Sequence, residues 1–466
     1  MARLTEQLRN LVFWGVDMFK GGDIRKHFNE IKKVQNNPLS ESSEQIRAEN
    51  LANLLHHAIT TVPYYYDLGA DTPQLDKFQV IDKQTVRDRF DQFRSLDYRD
   101  KHNHEVLTSG STGNPFKIFH DSNKRLRNTA DTLFFAQRAG YQIGSRLFYL
   151  RLWDKQYKKN KFLSKVQNIA TYSVDDLSDE NVKKLIEELE TDGSNKSLLA
   201  YSSALDTICK YFERNNKKGI NVKMDSIIAI AESLNDDVRK KVTKYIGKEP
   251  ISRYSNSENG ILAQEEKHSG IVKRYEINWA SYHIEILDLN SDDPVELGTP
   301  GRIVITDFFN YSMPMIRYDT GDVGVMEQDS RTGQLFFSRI DGRKMDMFTN
   351  TKGEFVSSHI IHHILQFKGI EQFQFIQEQN GEYLIKLKVL NSFDKSAEKE
   401  EAIRNKYAEY FGDDAIIKIH YVDEIPLLKS GKRKLVINNN VQKKQKFESH
   451  KNVEGSINIA SITKLP

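Results

Sequence analysis

Helical segments and short apolar runs alternate through the middle of this chain, and this alternation limits its fold more than any other feature. Apolar residues recur at helical spacing over residues 125–139 and 182–189. Short β-rich runs separate or follow these helices, at residues 146–152, 197–201, 226–231, 284–287 and 302–306. Helices that alternate with short apolar strands indicate an α/β architecture.

The pattern is different after residue 341. Residues 372–377 and 383–389 alternate polar and apolar side chains, as half-buried strands do, and residues 395–411 form an amphipathic helix. A further strand is predicted at residues 416–422. This order is typical of a small α+β domain.

The length of 466 residues exceeds what one ordinary hydrophobic core organises. We predict four parts: a helical N-terminal segment (1–60) packed on the large domain, the large domain itself (61–340), a small C-terminal domain (341–437) and a flexible, lysine-rich tail (438–466).

The charge balance excludes one class of function. The 68 Lys and Arg residues nearly match the 65 Asp and Glu residues, whereas a dedicated nucleic-acid binder carries a concentrated basic excess. The single cysteine, Cys209, excludes intrachain disulfides and sites with several cysteine ligands. We interpret it as a buried apolar residue and expect a reducing, cytoplasmic compartment.

The apolar run at residues 11–16 is the strongest N-terminal candidate for a targeting or membrane segment. It is far shorter than the roughly 20 apolar residues of a membrane helix, and Asp17 follows it. We therefore expect neither a spanning helix nor a signal peptide. Two alternatives stay open: an amphipathic helix against a membrane surface or a partner, and a helix packed on its own domain.

Residues 107–117 form the most informative local motif, with the sequence Leu-Thr-Ser-Gly-Ser-Thr-Gly-Asn-Pro-Phe-Lys. Glycines let backbone N–H groups approach an anion, hydroxyl groups add donors, and a lysine supplies positive charge. The spacing is not that of a Walker loop. The composition suits a polyphosphate, and in isolation a tight polar turn is the alternative.

Four further motifs follow in order: Tyr254-Ser-Asn-Ser-Glu258, Arg317-Tyr-Asp-Thr-Gly-Asp322, Gly342-Arg-Lys-Met-Asp346 and Pro426-Leu-Leu-Lys-Ser-Gly-Lys432. Together with the loop, they resemble the motifs of the adenylate-forming (acyl-CoA synthetase and ligase) superfamily. Within it the chain is most similar to the phenylacetate–CoA ligase group, and more narrowly to CapK-type ligases of polysaccharide gene clusters.

This resemblance implies a large adenylate-forming domain and a small mobile C-terminal domain. It implies an enzyme that uses ATP and Mg²⁺ to activate a carboxylic acid as acyl-AMP, with release of pyrophosphate. The acyl group would then pass to CoA, or to an amine or hydroxyl acceptor such as a sugar in surface-polysaccharide assembly. A second class stays open: a non-catalytic nucleotide-binding or scaffold protein derived from this fold.

The resemblance also assigns residues near the phosphates and the base. The phosphate loop would supply Thr108, Ser109, Gly110, Ser111, Thr112, Gly113 and the catalytic cation Lys117. Glu258 would be catalytic as the Mg²⁺ ligand, since hard cations take oxygen ligands. Tyr254 would stack on adenine or line the acyl pocket, and Ser257 shares its motif; a solvated turn is the alternative. Glu232 would contact adenine, with a helix start as the alternative.

Three residues complete the expected nucleotide site. Asp322 would accept hydrogen bonds from both ribose hydroxyls, and Arg343 would approach the ribose or a phosphate. Lys432 would reach the α-phosphate from a mobile loop and stabilise the transition state. The local alternatives are a turn aspartate, a surface arginine and a plain basic turn.

The chain departs from the family pattern where CoA would act. Met345 stands in the place of a usual aspartate, and residues 351–354 lack a usual arginine. Both departures concern acyl transfer to CoA and leave adenylation untouched. By position, the candidates for the acyl pocket are Arg151, Trp153, Tyr201, Ser202 and Ser203.

Overall fold

The computed structural model describes residues 2–68, 73–108, 116–153, 161–267, 273–356, 358–426, 428 and 433–440. The chain divides into two compact units, Met1–Ile340 and Asp341–Pro466.

The α-helices within the described residues are α1 (Ala2–Phe19), α2 (Asp23–Asn36), α3 (Glu41–Thr61), α4 (Lys83–Asp88), α5 (Ser122–Ala139), α6 (Lys161–Val166), α7 (Asp179–Thr191), α8 (Ser202–Arg214), α9 (Asp236–Ile246) and α10 (Ala397–Phe411). Short 3₁₀ helices cover Pro63–Leu68, Leu75–Lys77, Leu96–Tyr98, Lys344–Asp346 and Ser358–Gln366.

The strands are β1 (His104–Thr108), β2 (Phe116–His120), β3 (Arg146–Arg151), β4 (Ile169–Ser173), β5 (Lys196–Tyr201), β6 (Met224–Ile230), β7 (Ile251–Asn256), β8 (Gly260–Glu265), β9 (Tyr275–Ile277), β10 (Tyr282–Leu287), β11 (Pro300–Asp307), β12 (Tyr318–Gln328), β13 (Leu335–Arg343), β14 (Phe348–Thr349), β15 (Phe355–Val356), β16 (Ile370–Gln379), β17 (Glu382–Val389), β18 (Ile416–Tyr421) and β19 (Val436–Asn438).

One large sheet organises the first unit. Its strand order is β10-β11-β12-β13-β9-β8-β7-β6-β5-β3-β4, and its last five strands run parallel. Helices cover both faces of this parallel part: Ile227 packs into a cluster with α7, α8 and α9, whereas Ile228 packs against Ala139 of α5. Burial on both faces explains why residues 227–230 are continuously apolar.

The helix α5 shows how local sequence sets an element's ends. Asp121 caps it by accepting a hydrogen bond from the backbone N–H of Lys124 at 2.9 Å. Gly140 ends it with φ +108°, and a Cβ there would lie 2.9 Å from the carbonyl oxygen of Asp225. The sequence prediction of 125–139 therefore found the helix but missed its first turn.

The second unit is built on a four-stranded sheet of order β18-β17-β16-β19. Strands β16 and β17 form an antiparallel hairpin, and β18 and β19 flank it in parallel. One face of α10 closes the core through Ile403, Tyr407 and Phe411, which are fully buried. The predicted α/β class with a small α+β domain is confirmed.

Candidate active site

The phosphate-loop motif begins and ends in an antiparallel hairpin. Thr108, the last residue of β1, pairs with Phe116, the first residue of β2. The predicted loop residues Ser109, Gly110, Ser111, Thr112 and Gly113 lie outside the described residues. The hairpin fixes the two ends of the motif side by side.

Lys117 lies on β2, directly after this loop. Its ammonium nitrogen is 3.7 Å from a carboxylate oxygen of Glu105 on the neighbouring strand, and both side chains are nearly half exposed. It also lies over the rings of Phe90 and Phe119, at 4.9 and 5.5 Å from their centroids. This exposed ion pair contributes little stability, so the lysine is available to an incoming anion at small cost.

The turn between β7 and β8 carries Glu258, and buried hydrogen bonds fix its backbone. Asn256 Oδ1 accepts from the N–H of Asn259 at 2.8 Å. The Tyr282 hydroxyl donates to the carbonyl oxygen of Asn259 at 2.5 Å, and His120 Nε2 donates to that of Glu258 at 2.6 Å. Ser257, in the same turn, is exposed. The turn is therefore rigid and not a solvated loop.

The Glu258 carboxylate is buried and points at a cation that the sequence analysis missed. Lys83 Nζ lies 2.5 Å from Glu258 Oε1. The Tyr318 hydroxyl donates to the same oxygen at 3.4 Å. Lys83 opens α4, far from Glu258 in sequence and in no recognisable motif, so only tertiary structure shows the pairing.

Tyr254 and Asp322 meet directly. The Tyr254 hydroxyl donates to Asp322 Oδ2 at 2.7 Å and lies 3.4 Å from Thr320 Oγ1. Burial raises the pKa of the Tyr254 phenol well above its usual value, and the Asp322 carboxylate raises it further. The phenol therefore stays neutral and acts as a hydrogen-bond donor.

The segment before Asp322 is held in a strained but well-supported conformation. Arg317 has φ +49°, a region that side-chain-bearing residues rarely adopt. Its guanidinium binds Glu285 at 2.9 Å and the carbonyl oxygen of Phe78 at 3.0 Å. The backbone N–H of Asp319 donates a further hydrogen bond of 2.7 Å to the carbonyl oxygen of Ile81. Such strain persists only where the surroundings fix it, and it is frequent at functional sites.

Three of the five motifs converge through these contacts. The ring of Phe116, at the base of the phosphate-loop hairpin, lies parallel to that of Tyr318 with centroids 6.4 Å apart. Tyr318 contacts Glu258, and Tyr254 contacts Asp322. The base of the phosphate-loop hairpin, the Ser-Glu motif and the Thr-Gly-Asp motif thus lie together in the first unit.

A buried ion pair supports the turn that carries Glu258. Lys124 Nζ lies 2.6 Å from Asp307 Oδ2, and neither side chain is exposed. Lys124 also donates to the Tyr282 hydroxyl at 3.3 Å. Because Tyr282 holds the Asn259 carbonyl, this pair is linked to the turn that carries Glu258.

Glu232 lies two residues after the end of β6 and follows Ala231, which has φ +69°. Its carboxylate accepts a hydrogen bond of 2.8 Å from the backbone N–H of Ser203, in the first turn of α8. A helix does begin close by, because Asn235 caps α9 at Asp236, but Glu232 lies before that cap. The adenine contact stays a prediction.

The acyl-pocket candidates gather at the end of β3. Arg151 Nη1 donates to the Tyr149 hydroxyl at 3.3 Å, and its guanidinium lies 5.5 Å from the Trp153 ring centroid. Arg151 also contributes to the charge environment of Tyr201. Ser202 and Ser203 open the neighbouring helix α8. Their role in binding an acid stays a prediction.

The remaining predicted residues belong to the second unit. Arg343 ends β13, and the 3₁₀ turn Lys344–Asp346 follows it. Lys432 lies outside the described residues. His362 and His363 lie on the 3₁₀ helix Ser358–Gln366. His362 and His363 pack against different rings, Phe373 and Tyr410. Among the described residues, no cluster of His, Cys, Asp and Glu could hold a metal ion by itself.

Comparisons with known proteins agree with the motif analysis. Residues 347–439 match the family model described as the CapK C-terminal domain. Protein CapK of Staphylococcus aureus is 23% identical over 347 residues, which covers 71% of this chain and 73% of CapK.

Two solved structures share the fold. A 2-hydroxyisobutyryl-CoA ligase in its postadenylation state, in complex with R3-HIB-AMP, matches with a TM-score of 0.68 at 16% identity, over 88% of this chain and 93% of the ligase. ATP-bound MatB from Rhodopseudomonas palustris matches with a TM-score of 0.52 at 12% identity, over 71% and 66% of the two chains. The predicted resemblance to CapK is confirmed, and the fold is shared with these solved structures.

Proposed function

We propose that this protein activates a carboxylic acid with ATP, forming an acyl-adenylate and releasing pyrophosphate. The observation that carries the proposal is the pair of contacts Tyr254–Asp322 and Tyr318–Glu258. Tyr254 lies within hydrogen-bond distance of Thr320 and Asp322 on β12, and the turn after β7 meets Tyr318 of the same strand through Glu258. A ribose-binding carboxylate and a metal-binding carboxylate on one rigid surface suit a single bound nucleotide.

Mg²⁺ would rely on Glu258 and on the nucleotide. Magnesium commonly uses one or two protein carboxylates and takes its other ligands from phosphates and water. The absence of a complete ligand cluster among the described residues is consistent with such a site. Lys83 would then leave the Glu258 oxygen that it now contacts. The metal's contribution would be to offset the charge of the phosphates that Lys117 and the loop also bind.

We propose CoA, or an amine or hydroxyl group of a surface-polysaccharide precursor, as the acyl acceptor. CoA is supported by likeness to a CoA ligase, and the second acceptor by the similarity to CapK. Met345, in place of the family's usual aspartate, favours the second acceptor.

The test is pyrophosphate release by the full chain with ATP, Mg²⁺ and a broad panel of carboxylic acids that includes amino acids, with and without CoA. We expect release to depend on one class of acid and to be lost in Glu258→Gln. ATP binding without turnover of any acid would contradict the proposal and favour the non-catalytic nucleotide-binding protein. A CoA requirement for release of the acyl group would exclude the second acceptor.

A further inference from the structure

Helix α1 docks on the first unit through its polar side. Glu6, which is 6% exposed, accepts hydrogen bonds from the backbone N–H and the side-chain amide of Asn195, at 2.9 and 2.8 Å. Asn10 donates to the carbonyl oxygen of Ile143. Asp17, also 6% exposed, accepts from the first backbone N–H groups of α2 at 3.0 and 3.1 Å. The helix is therefore anchored along its length.

The opposite side of α1 is apolar and faces outward. The exposed fractions run from 48% to 88% for Leu4, Leu8, Leu11, Val12, Val16, Met18 and Phe19. Among the described residues, these are seven of the fifteen exposed large hydrophobic side chains. On a helical projection they share one arc with Thr5 and Gly15, and no charged residue lies within it. Apolar patches of this kind mark interaction surfaces.

Basic residues border this arc and outnumber the acidic ones. The two acids of α1 are the buried Glu6 and Asp17, whose carboxylates are already engaged. Lys20, Arg25 and Lys26 are exposed around the C-terminal end, against one exposed acid, Asp23. Trp14 lies at the edge of the arc, with the Arg25 guanidinium 4.5 Å from its ring centroid.

We propose that the outward face of α1, defined by the seven residues above, binds the surface of an anionic lipid bilayer. A helix of 18 residues, about 27 Å long at 1.5 Å per residue, would lie flat with its apolar arc among the acyl chains. The basic rim would meet lipid phosphates, and Trp14 would sit at the interface. None of the described helices is long and apolar enough to cross a membrane.

Charge favours the lipid over a second copy of the chain. Two copies paired along α1 would bring two basic rims together. Among residues 4–26, Asp23 is the one exposed acid on each rim that could compensate this positive charge. Like charges in an interface oppose association, whereas anionic headgroups complement this rim.

The test is sedimentation of the full chain with vesicles of phosphatidylcholine alone or mixed with phosphatidylglycerol. We expect binding to the mixed vesicles, a loss of about tenfold or more in partitioning for Leu8→Glu and for Leu11→Glu, and a weaker loss for Lys20→Glu. Leu297→Glu, at an exposed leucine outside α1, is the matched control and should bind like the unaltered chain. Unchanged urea unfolding would show that the variants fold.

Four results would overturn the proposal. The first is no binding to the mixed vesicles, and the second is equal loss in Leu297→Glu. The third is a dimer in size-exclusion chromatography that Leu8→Glu abolishes while vesicles bind neither protein, because the face would then join two copies. Equal binding to neutral vesicles would refute the role of the basic rim.

Discussion

The ammonium group of Lys83 lies 2.5 Å from a carboxylate oxygen of Glu258, and this ion pair ties α4 to the turn between β7 and β8. The Glu258 side chain is 3% exposed, whereas that of Lys83 is 26% exposed. A buried carboxylate needs a compensating cation, but only the lysine has a path to solvent. We infer that Lys83 offsets the charge of Glu258, a role that a metal ion held by Glu258 would take over.

The first prediction concerns Lys83→Met. Removing one partner of a buried pair leaves the other uncompensated, so we expect a loss of about 2–4 kcal/mol in the free energy of unfolding. The loss should shrink when Mg²⁺ and ATP are present, because the metal then supplies the missing charge. Urea unfolding with and without Mg²⁺ and ATP measures both quantities.

Lys77→Met is the control for this prediction. Lys77 forms an exposed pair with Asp76 at 3.8 Å, so its removal should change stability by less than about 1 kcal/mol. If the loss in Lys83→Met is the same with and without the nucleotide, Lys83 is a structural partner only.

The second prediction concerns Asp322→Ala, which should weaken ATP binding about tenfold or more through loss of hydrogen bonds to a charged group. Tyr254→Phe should weaken it less, because Tyr254 acts by orienting Asp322. Titration calorimetry of both variants and of the double variant tests this order. Tyr254→Phe should have no added effect in the Asp322→Ala background, and additive losses would mean that Tyr254 contacts the nucleotide itself.

The third prediction concerns the buried pair Lys124–Asp307. Lys124→Met should lower the free energy of unfolding by about 3–5 kcal/mol, because Asp307 is left buried and unpaired. The double variant Lys124→Met/Asp307→Leu should recover part of that loss. Urea unfolding of the two variants gives the comparison. A double variant less stable than Lys124→Met would show that Asp307 is held by other partners, such as the backbone N–H of Phe309.

The fourth prediction is a pH dependence from His120. Burial lowers the pKa of His120 from 6.5 to about 4, so the unfolded chain binds its proton more readily than the folded one. The contribution of neutral His120 to the free energy of unfolding is therefore complete above pH 6.5, and it is lost as the pH falls toward 4. Between pH 7 and pH 5 the loss should be about 2 kcal/mol.

The control is His120→Asn, which cannot titrate. Other buried histidines contribute equally to both proteins, so the difference between their unfolding curves at pH 7 and pH 5 isolates His120. Parallel pH dependence in the two proteins would show that the pKa of His120 is the same in the folded and the unfolded chain.

Periodicity predicted the fold well because burial leaves a direct trace in sequence. The apolar run at 227–230 is continuous because helices cover both faces of β6. Residues 372–377 alternate between polar and apolar because one face of β16 is buried. Element ends were less accurate where caps set them. Asp121, for example, caps α5 several residues before the first apolar side chain of the helix.

The site was predictable only where its residues lie within motifs. The motifs name Tyr254, Glu258 and Asp322, whose roles stay predictions, and the structure brings these motifs together. Lys83 and His120 were missed because each contacts Glu258 across a long stretch of sequence. A lone lysine or histidine carries no periodic signal, so such partners emerge only from tertiary structure.

The last prediction concerns Lys432, whose expected role rests on the Pro426-to-Lys432 motif. If it reaches the α-phosphate during adenylation, Lys432→Ala should slow acyl-AMP formation by about 10²–10³, the usual cost of losing one preorganised donor to a charged transition state. Consumption of a supplied acyl-adenylate should be spared, because that step no longer needs the charge.

Lys429→Ala and Lys434→Ala are matched controls, since they remove the same charge from the same stretch but not from the position after Gly431. Each should lose little activity in either half-reaction. Equal losses at all three positions would mean that the stretch acts as a diffuse basic patch. Equal losses in acyl-AMP formation and in consumption of the acyl-adenylate would mean that Lys432 is structural. A lysine that acts only on the transition state of adenylation has no part in the second step.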